Sequence, residues 1–133
     1  MDETVYLYKG EVFYFKDSPL KFDESYSYYP DGALVVYRGK IIEAGAYENI
    51  KERYPEALVT DYSGKLLMPG LIDSHIHYPQ SEMIGMYGKQ LLDWLNEYTY
   101  PTEEAFGDSE YAGRVARFFV NELFRNGTTT CMA

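Results

Sequence analysis

The two histidines of this chain, His75 and His77, stand two residues apart in the run MPGLIDSHIHYPQ, which spans Met68 to Gln80. In a β-strand, residues i and i+2 project from the same face. The pair would then deliver two imidazole nitrogens to one point, as a divalent metal requires of its first two ligands. Imidazole suits zinc, iron, copper or nickel better than magnesium or calcium. A catalytic zinc commonly takes three protein ligands and a water, so two histidines begin such a site without completing it. The competing reading is a pair of ordinary surface or core histidines.

The context favours the metal. Leu66, Leu67, Met68, Leu71 and Ile72 form a near-continuous apolar run, the pattern of a strand buried on both faces of a parallel sheet. Asp73, Ser74, His75 and His77 gather at its C-terminal end, where ligands bind in α/β sheets and barrels. A polar cluster at the end of a buried strand is costly unless its members have partners.

The elements around this run can be read from their spacing. Val5 to Phe15 has β character, with a possible turn at Lys9-Gly10, and a polar, aromatic loop covers Lys16 to Tyr29. Ala33 to Tyr37 and Lys40 to Ala44 form a hairpin through Arg38-Gly39. Tyr47 to Tyr54 makes one or two helical turns before Pro55. Leu58 to Tyr62 is a short strand, and Ser63-Gly64 turns the chain into the histidine run. Beyond it the character is helical: first Gln90 to Tyr98, then a further element from Pro101-Thr102. Between Ser109 and Arg125, apolar residues recur at three- and four-residue intervals, the stripe of a helix packed on a sheet. Asp108 is its N-cap candidate and Asn126-Gly127 its stop. Thr128 to Ala133 opens another strand. Strand, helix, strand is a unit of a parallel α/β sheet.

Composition narrows the partners. The net charge of −9, from 21 acidic and 12 basic residues, speaks against nucleic acid and anionic membrane, both bound through clustered Lys and Arg. One cysteine, Cys131, allows no intramolecular disulfide and fits a reducing cytoplasm. As a small strand residue it fits a packing role better than a catalytic thiol. No apolar run approaches a membrane span, and the start resembles no signal region. The fifteen tyrosines fit half-exposed packing on a small sheet better than a sugar-binding platform.

PGLIDSHIHYPQ, followed by LLDWLNEYTYP and NGTTT, resembles the guanine deaminase branch of the amidohydrolase superfamily along the whole chain. The PGxxDxHxH pattern marks the superfamily. His77-Tyr78-Pro79-Gln80, with Leu91 to Leu95 and Tyr98 to Pro101, is similar to the guanine deaminase branch. The resemblance implies an α/β fold: the N-terminal part of a (β/α)8 amidohydrolase barrel, preceded by a small β-sandwich-like domain. Residues 1–67 would be the β-rich domain. Residues 68–133 would be the first strand, helices and second strand of an incomplete barrel. It further implies one zinc per active site, with His75 and His77 as its first two ligands. The substrate would be guanine, bound by His77 and Gln80. Its carboxamide offers the base a donor and an acceptor side by side; a residue capping a loop is the alternative. Tyr78 and Trp94 could pack on a flat base, although Trp94 also suits a helical core stripe. Asp73 reads as support for a ligand or its backbone.

The reaction implied is zinc-dependent hydrolysis of guanine to xanthine and ammonia. No acid/base residue can be assigned within the chain, and its position is expected beyond Ala133. The segment alone is accordingly expected to be inactive, and the complete enzyme to be a cytoplasmic homodimer. The rivals are a cytosine deaminase or chlorotriazine hydrolase built on the same histidine strand, and a non-catalytic fragment. The cytidine-deaminase fold is excluded, because its HxE and PCxxC motifs are absent.

Overall fold

The computed structural model describes residues 3–88 and 90–133. Met1 and Asp2, the first residues of the expected β-rich domain, therefore lie outside the described residues. Two compact units divide the chain, Met1–Pro69 and Gly70–Ala133.

In the first unit, β1 (Val5–Phe15), β2 (Tyr26–Tyr37), β3 (Lys40–Ala46) and β4 (Leu58–Leu67) form one sheet in the order β3-β2-β1-β4. The first three strands are antiparallel neighbours, whereas β4 runs parallel to β1. The hairpin between β2 and β3 turns at Arg38 and Gly39, which have φ of 51° and 75°. Positive φ at both central residues is the condition of a type I′ turn, and glycine meets it without steric cost. Helix α1 (Tyr47–Arg53) places Ile50 against Leu7, Ala33 and Val35, and all four are fully buried. Fully burying a large aliphatic side chain contributes about 1.5–3 kcal/mol. Within the first unit the described residues form this one sheet covered by a helix, where two facing sheets are expected of a sandwich.

Both turns expected inside this sheet are bulges. β1 runs through Lys9-Gly10, with its pairing to β2 shifting between Gly10 and Val12. β4 runs through Ser63-Gly64: Asp61 pairs with Lys9 and Leu66 with Glu11, so the residues between loop out of the ladder. Ser63 N–H donates to Asp61 Oδ1 at 2.7 Å. Hydrogen bonds from Ser63 hold the Asp61 carboxyl below its usual range. β2 begins at Tyr26, so the last four residues of the expected loop, 26–29, are strand.

The second unit pairs β5 (Leu71–Asp73) in parallel with β6 (Thr128–Cys131). Between them lie a 3₁₀ turn (Tyr78–Met83), α2 (Leu91–Trp94), a π turn (Leu95–Thr99), α3 (Tyr100–Glu104), a second 3₁₀ turn (Ala105–Gly107) and α4 (Ser109–Arg125). Asp108 caps α4, its Oδ1 accepting from the Glu110 and Tyr111 N–H groups. Asn126 and Gly127 end it, with Gly127 at a φ of 82°.

The apolar run from Leu66 to Ile72 is not one strand buried on both faces. β4 ends at Leu67 and β5 begins at Leu71; between them Pro69 lacks the N–H a ladder needs. Leu66 is 51% exposed and Ile72 74%. With β6 as the one strand paired to β5 among the described residues, nothing there covers the outer face of Ile72. No helix among the described residues is long and apolar enough to cross a membrane.

Candidate active site

The chain leaves the ladder just before the histidines. Met132 N–H donates to Asp73 O at 2.9 Å, and Ile76 N–H to Met132 O at 3.1 Å, so pairing with the β6 side persists to Ile76. Strand geometry itself stops at Asp73, whose Oδ1 accepts from the His75 N–H at 3.1 Å. This local bond competes with the strand conformation and bends the backbone. The expectation that His75 and His77 share a strand face is therefore corrected: both stand past the C-terminal end of β5, in a loop. The rings converge nonetheless. Their Nε2 atoms are 2.9 Å apart, with ring centroids at 4.9 Å and planes inclined by 56°.

This donor pair fits a zinc-type ion. Two Zn–N bonds of about 2.0–2.1 Å at a tetrahedral angle hold their nitrogens about 3.3–3.4 Å apart. The rings need open by only a few tenths of an ångström to admit the ion. Among the described residues no group of three or more His, Cys, Asp and Glu side chains comes together as a metal site. The two imidazoles are thus fewer donors than a catalytic zinc takes from its protein.

The histidines open into a cavity of about 710 Å³ that is also lined by Gln80, Trp94, Phe119 and Glu122. Gln80 lies on the 3₁₀ turn that starts directly after His77, and its N–H donates to His77 O at 3.1 Å. Pro79 sits in the first turn, where its missing N–H costs nothing. The turn is anchored beneath by Tyr78, which meets Phe106 edge-on at 5.3 Å and Phe119 at 6.0 Å. Phe106 in turn meets Tyr111 at 5.1 Å. Tyr111 Oη donates to Glu82 Oε2 at 2.7 Å, and that bond raises the phenol's pKa above its ordinary value.

Of the two aromatic candidates, Trp94 lines the cavity and Tyr78 belongs to the packing beneath the turn. Trp94 Nε1 donates to Met86 O at 3.0 Å, tying α2 to the segment after the 3₁₀ turn. Cys131 is a half-buried residue of β6.

Sequence reasoning passed over Glu103. Its Oε1 accepts from Gln80 Nε2 at 3.0 Å across 23 residues of chain. An acidic residue in the first turn of a helix after a proline is ordinary helix chemistry. Nothing in its spacing from Gln80 marks it out, since a π turn intervenes. Glu122, also missed, carries an i,i+3 ion pair to Arg125 of the kind common on any helix surface.

Residues 66–133, half of the chain, match the model of the amidohydrolase family. Over 117 residues the chain is 48% identical to the guanine deaminase of Escherichia coli (strain K12), an overlap of 87% of this chain and 27% of that protein. The crystal structure of guanine deaminase from Bradyrhizobium japonicum superposes with a TM-score of 0.90 at 37% identity, over 96% of this chain and 28% of that one. Guanine deaminase from C. acetobutylicum, solved with guanine bound in the active site, superposes with a TM-score of 0.81 at 29% identity, over 96% of this chain and 29% of that one. The chain spans under a third of the length of each of these relatives. By a match that begins at Leu66 and takes in the whole paired-histidine unit, this chain belongs to the amidohydrolase family.

Proposed function

We propose that this segment supplies the first two metal ligands and a purine contact of a guanine deaminase, which hydrolyses guanine to xanthine and ammonia. The observation that carries this reading is the convergence of His75 and His77 Nε2 atoms, 2.9 Å apart, in one cavity with Gln80. The resemblance to proteins named for guanine deamination favours guanine over cytosine or a chlorotriazine.

In this reading β5 and β6 are the first and second strands of a (β/α)8 barrel, residues 1–67 precede the barrel, and residues 68–133 open it. Ligands gather at the C-terminal ends of barrel strands, the position His75 and His77 hold relative to β5. Zinc, one per site, would be held by His75 and His77 together with donors outside the described residues. When bound, it supplies Lewis acidity that makes water nucleophilic at neutral pH.

The chain's own residues do the positioning. Asp73 holds the turn that carries His75, Gln80 offers its carboxamide to the purine edge, and Trp94 with Phe119 gives the cavity an apolar wall that limits water. Guanine's exocyclic amino group is exchanged for the oxygen of water and leaves as ammonia. In this reading the acid/base residue that carries the proton is one that this segment does not supply.

The test is turnover by the full-length protein that carries this segment, with guanine and cytosine offered in parallel. Ammonia and xanthine should appear from guanine and no ammonia from cytosine. Deamination of cytosine alone would overturn the reading.

A further inference from the structure

Gln80 can offer a purine two different edges, because rotating its amide by half a turn exchanges the oxygen for the NH2 group. Which edge faces the ligand decides which substrate it recognises. The structure contains the element that decides it. Glu103, on α3, accepts from Gln80 Nε2 at 3.0 Å in a half-buried position. An ionised carboxylate is an acceptor only, so it can take the NH2 group and repels the amide oxygen. We propose that Glu103 is a positioning residue for substrate specificity: it locks the Gln80 carboxamide in one orientation, with Oε1 and the second amide hydrogen left for the ligand. This rests on the reading of Gln80 as the purine contact.

Two further observations support a fixed, not merely available, carboxamide. The backbone of Gln80 is held in its 3₁₀ turn by the bond to His77 O and by Ser81 Oγ, which donates to Tyr78 O at 2.6 Å. The turn is seated on the Tyr78, Phe106 and Phe119 rings. With the backbone set from below, the bond from Gln80 Nε2 to Glu103 is what holds the amide against rotation. The edge that remains presents an acceptor beside a donor in one order. A purine rim with a ring N–H beside a bare ring nitrogen matches it with one face of the base up and not with the other. A site with a pre-set polar edge discriminates strongly against ligands that leave its groups unpaired.

The experiment uses the full-length protein, with Glu103→Ala, Glu103→Gln, Gln80→Ala and the double variant Gln80→Ala/Glu103→Ala. It reads KM and kcat for guanine, equilibrium binding of the product xanthine, and metal content. Glu103→Ala should raise KM and the xanthine Kd roughly tenfold, the scale of one charge-assisted hydrogen bond, with kcat changed far less. Glu103→Gln should restore only part of the affinity, since its amide can accept the same bond but can also donate to the Gln80 oxygen and so no longer selects one orientation. In the Gln80→Ala background, removing Glu103 should have no further effect, and metal content should be the same throughout. Glu103→Met, which keeps the volume and removes both acceptors, gives the same reading if the alanine variant does not fold. An unchanged KM in Glu103→Ala or Glu103→Met, beside a raised KM in Gln80→Ala, would overturn the proposal and leave the purine contact standing. A Glu103 effect that persists undiminished in the Gln80→Ala background would also overturn it. An unchanged KM in Gln80→Ala would overturn both.

Discussion

The Nε2 atoms of His75 and His77 meet at 2.9 Å although neither residue is in a strand. What brings the rings together is a turn: Asp73 Oδ1 captures the His75 N–H just after the last strand residue, and Ile76 between them stays tied to Met132 O. Removing the captor should therefore loosen the proposed metal site without touching either of its proposed ligands. Asp73→Ala in the full-length protein is expected to lower zinc affinity by about 10–100-fold, the usual scale for a supporting residue. Asp73→Asn, which keeps an acceptor oxygen, should lose much less. Zinc competition against a chelator measures both, and equal affinities in Asp73→Ala and wild type would count against the turn.

Gly70 is a matter of space. A Cβ placed there would stand 2.0 Å from Thr129 Oγ1 and 2.6 Å from Thr129 Cβ, so β6 crosses where any side chain would be. Gly70→Ala should destabilise the protein by about 1–3 kcal/mol, the cost of overpacking a filled site. Thr129→Gly added to it should recover part of that loss. Thermal unfolding of the single and double variants provides the comparison.

The cap of α4 gives a smaller and more local effect. Asp108 satisfies two N–H groups of the first turn, at 2.8 Å and 3.2 Å. Asp108→Ala should cost about 1 kcal/mol and Asp108→Asn less, because asparagine caps nearly as well. Hydrogen exchange at the start of α4 should quicken in the alanine variant and leave β1 to β4 unaffected.

Tyr111 supplies a pH dependence whose sign follows from its partner. The Glu82 carboxylate accepts from the phenol, and that bond, then burial, then the charge of Glu82 raise the Tyr111 pKa. A group with a raised folded pKa stabilises fully below its unfolded pKa, and that contribution is lost as pH rises through the folded value. The bond should thus persist across neutral pH and break only in the alkaline range above the ordinary tyrosine value. Spectroscopic titration of tyrosinate in Glu82→Gln should show one phenol returning toward the ordinary value. Identical titrations in the variant and wild type would remove Glu82 as the cause.

Much of this was legible where the signal is local. The Arg38-Gly39 hairpin, the Asp108 cap and the α4 stripe depend on neighbours in sequence, and their spacing marked each of them. The histidine pair was also legible, but through the wrong local geometry: strand alternation and the Asp73 turn bring the same two rings to one side. The bulges at Gly10 and Ser63-Gly64 were not, since a glycine that ends a strand and one that lets a strand bulge look alike until the partner strand is known. Gly70 belongs to a motif in the sequence, and its physical reason lies in Thr129, far along the chain. Glu103 was invisible for the same reason. Its meaning comes from a hydrogen bond to Gln80 that only folding creates.

Zinc content and guanine turnover, read together on the same preparations of the full-length protein, test the central claim most directly. Wild type should hold one zinc per chain and release ammonia and xanthine from guanine in equal amounts. His75→Ala and His77→Ala should lose zinc and activity together. Gln80→Ala should keep its zinc while guanine binding weakens by about 1–3 kcal/mol, the cost of one lost hydrogen-bonding partner. A His77→Ala protein that keeps its zinc yet is inactive, or a wild type that turns over guanine with no metal bound, would contradict the account.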